Sequence, residues 1–544
     1  MTEATGRQWG QTPLRQVGAT SGLLAAIVVL LASCDRSGRV APPSFGLVFP
    51  PIDGELMTTS SPSLADLSGD GVPDIVFGTG VDRVIPAPSG GRMLDKEPNI
   101  SGYVVAVSGA SNEILWQVPN PRDAFTTPRF ARLNGDSVPD VVMGGREGVL
   151  SAFSGTDGAL LWRDTGDAVA TTSFPLNFFT PAGIDDVNGD GVSDLVVTYG
   201  GDDSALPHDP RGPGYLAVIS GADGAVLAAR KTPDGAETYS SPVVYRRADR
   251  TQWVVFGTGG ETLGGAAYRA PVASLLDGSF AARAERLVEP GKKGVIAPAT
   301  LADLTGDGEL DIIISAFGGR LVAVDGASGK VLWQNDGEGE ETYQPAAVAR
   351  IAPDGRLGLV VSRGIGAFPK YVGSVHRLLS AADGRVLYEY KDALYPGGAP
   401  LAVDLDGDGV DEPVFFTVRF PSGHGGRIYV LDVASDSLIA HDVPTNLWTT
   451  PVIADPRGTG TLEMIGLAWS LRTDAQSPGN ASPGGFDVLG DPGAGAPTWR
   501  DLRWQLLRLN LGGRTPDSRS WAAYMGTATD GQYRPPAAGA DAKK

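Results

Sequence analysis

Two nine-residue stretches carry enough oxygen to hold a metal ion. One reads Asp186-Val-Asn188-Gly-Asp190-Gly191-Val192-Ser-Asp194, the other Asp404-Leu-Asp406-Gly-Asp408-Gly409-Val410-Asp-Glu412. Side-chain oxygens at positions 1, 3, 5 and 9, joined by the backbone carbonyl of position 7, can wrap one hard cation. Ca2+ suits such a set, because it accepts about 6–8 oxygens in adaptable geometry. Glycine at position 6 permits the sharp bend with positive φ. An EF-hand would place Glu at position 12, where Val197 and Phe415 stand instead.

Two further stretches are nearly complete: Asp66, Ser68, Asp70 and Asp74, and Asp303, Thr305, Asp307 and Asp311. Ser and Thr are weaker ligands than a carboxylate, so affinity is expected to be lower there. The tightest sites are expected at 404–412 and 186–194. A related stretch keeps Asn134, Asp136 and Asp140 but begins with Arg132, and is expected not to bind. The pattern is lost around Arg247 and Asp249, around Arg350 and Asp354, and around Asp455 and Glu463. For any single loop, a polar Asx-rich turn without metal is the alternative. Four copies in register within a repeat argue for a metal.

The elements that position these loops repeat along the chain. Eight segments open with a Pro followed by an apolar, mostly alternating run: TTSSPSLADL, FTTPRFARL, NFFTPAGIDDV, TYSSPVVYRR, VIAPATLADL, TYQPAAVARI, GGAPLAVDL and LWTTPVIADP. The polar loop follows, and then a second apolar run ending in Gly, such as DIVFGTG or DIIISAFGG. A third and a fourth run are joined by a Ser-Gly or Asp-Gly turn, as in GRLVAVDGASGKVLW ending at Trp333. Alternation broken by such turns predicts short antiparallel strands. Four strands per repeat predict an all-β, eight-bladed β-propeller over residues 45–526, because one blade cannot cover its own two faces but a closed ring can. Seven blades is the alternative, since the fourth and eighth units are the least regular. Either Phe45–Phe49 or Arg519–Tyr524 could supply the strand that closes the ring.

The loop spacing, with the pairs Phe77-Gly78 and Phe256-Gly257, resembles FG-GAP (VCBS-type) repeats of integrin α-subunit propellers and bacterial surface proteins. Hairpins ending in Leu-Trp also resemble the repeat of quinoprotein-like (PQQ-like) propellers. These resemblances cover most of residues 45–525 and imply a propeller stabilised by calcium. They specify activity weakly, because propellers host many functions.

The amino terminus predicts export. Arg7 and Arg15 precede the apolar run Leu23–Leu31, which is too short to span a bilayer and suits a secretory signal. It ends in Leu31-Ala32-Ser33-Cys34, similar to the lipobox of bacterial lipoproteins. That resemblance implies a signal peptide over 1–33, lipidation of Cys34, the sole cysteine, and a tether over 34–44. The protein is then expected to be lipid-anchored in the cell envelope, at the periplasmic face or the cell surface. Residues 527–544 lack apolar periodicity and are expected to be disordered.

A formal net charge of −19 excludes nucleic acid as a natural partner. Recognised catalytic signatures of serine hydrolases, zinc proteases and P-loop enzymes are missing, and His208, His376, His424 and His441 fall in different repeats without ligand spacing. The recurrent Trp residues read as packing between blades. The sequence therefore suggests a non-catalytic binding or assembly scaffold. Its protein or glycan ligand would meet the long insertions 81–101, 201–213 and 472–500, opposite the acidic loops. Two enzymes are the alternatives: a polysaccharide lyase of the eight-bladed rhamnogalacturonan type, and a quinoprotein-like dehydrogenase relative. The second would want a vicinal cysteine pair that this chain lacks.

Overall fold

The computed structural model describes residues 44–48, 58–80, 84–86, 92–94, 102–145, 149–166, 177–202, 205, 208–289, 291–367, 370–419, 425–471, 502–512 and 521–534. These belong to a unit running from Gly38 to Lys544. Cys34, the signal peptide and most of the tether lie outside the described residues.

Eight antiparallel sheets follow one another, each containing the four expected strands; those of blades 6 and 7 add a two-residue strand, Glu340–Glu341 and Tyr395–Pro396, and a separate two-stranded sheet pairs Val84–Pro86 with Arg92–Leu94. Blade 1 has Ser63–Ala65, Asp74–Gly78, Gly102–Val107 and Ile114–Asn120. Blade 2 has Arg129–Ala131, Asp140–Gly144, Leu150–Phe153 and Leu160–Asp164. Blade 3 has Ala182–Gly183, Leu195–Tyr199, Tyr215–Ile219 and Val226–Lys231. Blade 4 has Val243–Arg246, Gln252–Gly257, Ala267–Pro271 and Glu285–Val288, with two short helices between its third and fourth strands. Blade 5 has Thr300–Ala302, Asp311–Ser315, Leu321–Val324 and Val331–Asn335.

Blades 6 and 7 follow the same order. Blade 6 has Ala347–Arg350, Leu357–Ala367, Lys370–Ser380 and Val386–Asp392, and blade 7 has Leu401–Val403, Glu412–Val418, Gly426–Asp432 and Ser437–Val443. In blade 8, Val452–Ala454, Leu462–Leu471 and Leu502–Gly512 are joined by the amino-terminal strand Ser44–Val48, which pairs with Leu506–Asn510. The ring is thus closed by the segment around Phe45, and eight blades, not seven, is the count.

Second strands such as Asp74–Gly78 and Asp311–Ser315 are buried at every residue, as strands covered on both faces must be. The cores lie between neighbouring sheets. Val76, Val104 and Trp116 of blade 1 pack with Val141, Met143 and Phe153 of blade 2. Ile75 and Phe77 of blade 1 pack with Ile465, Leu467 and Leu506 of blade 8.

The expectation of disorder beyond residue 526 is corrected for residues 527–534. Residues 521–534 run along the innermost strands. Trp521 exchanges backbone hydrogen bonds with Ala402 of blade 7, Ile453 of blade 8 donates to Ala522, and Leu301 of blade 5 is bonded to both Gly531 and Tyr533. Trp521 and Tyr533 are buried in the core shared by blades 5 to 7. Inner strands leave backbone groups unpaired toward the axis, and this segment satisfies them, so it needs no periodic apolar pattern to be held. The propeller thus extends past its expected end. Residues 535–544 lie outside the described residues. Among the described residues, no helix is long and apolar enough to cross a membrane.

Candidate metal centre

All four candidate loops join the first strand of a blade to its second and fold alike. The position 1 carboxylate caps the turn: Asp66 accepts from Gly69 and Gly71, Asp186 from Gly189 and Gly191, Asp303 from Gly306 and Gly308, and Asp404 from Gly407 and Gly409, at 2.6–3.1 Å. The position 6 glycines Gly71, Gly191, Gly308 and Gly409 have φ of 84° to 90°, the region that favours glycine. Position 5 accepts from the position 7 amide, 2.8 Å for Asp70, Asp190, Asp307 and Asp408 alike. The amides of Gly191 and Gly189 hold the Asp186 carboxyl below its usual range against a smaller cost of desolvation.

Position 9 divides the loops. In blades 1, 3 and 5 its carboxylate is a stitch. Asp74 accepts from Leu67 and Ser68 with Oδ2 and from Gly109 with Oδ1; Asp311 does the same with Leu304, Thr305 and Gly326. Asp194 accepts from Val187 and Gly221. Gly109, Gly221 and Gly326 sit in the turn between strands 3 and 4 of the same blade. Blade 2, with Arg132 in place of a position 1 carboxylate, has the same stitch from Asp140 to Leu133, Asn134 and Gly155. The position 9 aspartate therefore has a structural role independent of any metal. Burial pushes Asp140 and Asp311 up, against those amide bonds.

These turn glycines have a second partner that sequence reasoning missed. Trp116 Nε1 donates to the Gly155 carbonyl of the next blade at 2.8 Å, and Trp162 Nε1 to that of Gly221 at 2.8 Å. Arg269 donates to Gly326 across blades 4 and 5, and Arg508 donates to Gly109 across the ring closure at 2.8 Å. Each such glycine ties its own acidic loop to the preceding blade. A Cβ on Gly155 or Gly326 would lie 2.0 or 1.9 Å from the carbonyl of Pro139 or Leu310. Recurrence of this Gly beside Leu-Trp endings was the signal available.

Blade 7 differs. Glu412 accepts from Leu405 through Oε2 at 2.6 Å, which leaves Oε1 without a hydrogen bond among the described residues. One oxygen each of Asp404, Asp406 and Glu412 lie within 4.8 Å of one another, a grouping of acidic ligands found at no other loop among the described residues. Ser68, Asn188 and Thr305 hold position 3 elsewhere, so those loops have one carboxylate fewer. Burial, then the charges of Asp406, Asp404 and Asp408, push Glu412 up to about 9. Burial, then Asp408, Asp404 and Asp432, raise Asp406. The donor set is all oxygen and partly buried, with one guanidinium, that of Arg350, 3.7 Å from Asp404; the oxygens fit a hard cation such as Ca2+.

The degenerate loops supply guanidinium groups. Arg350, at position 1 of blade 6, donates to buried Asp411 of the blade 7 loop at 2.9 Å and lies 3.7 Å from Asp404. In blade 8 the position 9 residue Glu463 is paired with Arg508 and Arg457. Among the described histidines, His208, His376 and His441 lie in blades 3, 6 and 7; the sequence reads each as an isolated surface residue, and that is corrected for His376, which is fully buried.

A model of the FAM234A/B β-propeller family matches residues 96–283. Among curated proteins none matches the chain. Among solved structures the chain is similar to quinohemoprotein alcohol dehydrogenase ADHIIG from Pseudomonas putida HK5, at 12% identity and TM-score 0.50, covering 87% of this chain and 77% of that one. It is also similar to the quinohemoprotein alcohol dehydrogenase from Comamonas testosteroni (11% identity, TM-score 0.49, 87% and 78%) and to BamB from Moraxella catarrhalis (12%, 0.42, 80% and 98%). The comparisons speak to fold: the chain is a β-propeller.

Proposed function

We propose that the protein is a calcium-stabilised, lipid-anchored scaffold of the cell envelope, built on FG-GAP-type repeats. In this reading it binds a protein or glycan through the ends of the blades opposite the acidic loops. The observation that carries it is the polarity of the blades. Each acidic loop enters a second strand, so connections leaving that strand emerge at the other end. The long connections 79–101, 200–214 and 472–501 are of this second kind. Blade 6 adds a hairpin of two 11-residue strands, with Val372 76% exposed near its tip. Long loops on a rigid frame are the usual place for recognition.

The test is capture from native membranes with the tagged lipoprotein. A specific protein partner lost on shortening 472–500 supports the scaffold. A retained glycan released as a cleaved product supports the lyase alternative and overturns it. In parallel, Cys34→Ser is expected to move the protein out of the detergent phase; unchanged partitioning would contradict the lipid anchor.

A further inference from the structure

A cavity of about 250 Å³ lies between residues 525–534 and the inner edges of blades 2 to 4. The backbone of the carboxy-terminal segment bonds to the inner strands of blades 5, 7 and 8, Gln532 Nε2 donates to the Val244 carbonyl of blade 4 at 2.8 Å, and the cavity opens beside the short first strand of blade 3, Ala182–Gly183. Arg246 and Gln252 flank the first turn of blade 4, so the cavity lies toward the acidic-loop end. Three guanidinium groups line it, those of Arg129, Arg246 and Arg534, against a single carboxylate, Asp530.

The charges do not cancel. Asp530 pairs with Arg534, and Asp185, just outside the lining, pairs with Arg246 at 2.7 Å. Arg129 is left over. Among the described residues its one hydrogen bond goes to the Thr529 carbonyl at 3.4 Å, and it has no carboxylate in ion-pair contact. Burial works against its charge, the nearby Asp530 supports it, and Arg534 opposes it. Gln252 accepts from Asp185 N–H through Oε1, which leaves its Nε2 protons without a protein acceptor among the described residues. A chain of net charge −19 has thus gathered surplus positive charge and spare donors in one hollow. A planar guanidinium fork matches a carboxylate. The volume is just under the roughly 300 Å³ at which small-molecule pockets begin, so the ligand is small.

We propose that this cavity binds a small carboxylate-bearing ligand, held by the charge of Arg129. Calorimetric titration of the full chain with malonate, glucuronate and inorganic phosphate at low salt tests it. Saturable one-to-one binding of a carboxylate probe is expected. Arg129→Gln should weaken it tenfold or more, as should Arg534→Gln, which leaves Asp530 uncompensated beside the ligand and covers the case in which the Arg129 variant fails to fold. Arg286→Gln, an exposed arginine paired with Glu289, should bind as the parent does. No saturable binding, binding of phosphate alone, or unchanged affinity in the arginine variants that fold would overturn the proposal.

Discussion

His376 is fully buried, between the hydroxyls of Ser362 and Ser374 at 2.9 and 3.1 Å and beside the ring of Phe415. Burial pushes its imidazole down to about 4 from 6.5, with the charge of Asp392 opposing. The folded state therefore resists a proton that the unfolded chain accepts. Stability is full above pH 6.5 and falls as pH drops toward 4, by about 1.4 kcal/mol per pH unit and roughly 3 kcal/mol across the window. His376→Gln should remove that part of the acid sensitivity, read as a smaller fall in urea midpoint between pH 7 and 4. Equal falls in parent and variant would contradict it. Gly326 belongs to the same scale. A Cβ there meets the Leu310 carbonyl at 1.9 Å, and the residue accepts from Arg269 and donates to Asp311. Gly326→Ala is expected to cost about 3 kcal/mol in denaturant unfolding; a loss under about 0.5 kcal/mol would mean the turn yields freely.

At the scale of elements, the alternating runs and their Ser-Gly and Asp-Gly turns made nearly every strand legible in the sequence, because period and turn chemistry are local. The acidic loops were legible for the same reason. The stitches were not. Asp74 reaches Gly109 35 residues on, and Arg350 reaches Asp411 61 residues on, in the next blade. No local pattern encodes such pairs. Blades 7 and 3 were expected to hold the two tightest sites; their position 9 groups differ, because Asp194 bonds through both oxygens to backbone amides, whereas Glu412, longer by one methylene, keeps one without a hydrogen bond among the described residues. The carboxy-terminal segment was illegible because backbone pairing and a few residues, Trp521, Met525 and Tyr533, hold it in place of a periodic face. Deleting 521–544 should lower stability by several kcal/mol, on the order of 5, by uncovering the core these residues pack against and the inner-strand amides. A truncated chain with the parent's urea midpoint would show that the segment contributes nothing to the ring.

For the whole molecule, closure is the central fact. Each blade covers its neighbour's face, the amino-terminal strand completes blade 8, and Arg508 ties that blade to Gly109 of blade 1. In such a ring a cation bound at one loop stabilises the cooperative whole. Binding to the folded state alone contributes about 2.7 kcal/mol per site at a hundredfold excess over Kd. The most direct measurement is thermal melting in EDTA and in millimolar calcium, with bound metal counted by elemental analysis. Calcium held by the loops should shift the melt clearly upward. Glu412→Gln and Asp406→Asn should remove the largest share, Asp190→Ala a smaller one, and Asp354→Ala in degenerate blade 6 none. Superimposable melts with no metal in the protein would contradict it, leaving the acidic loops as turns held by their own backbone amides.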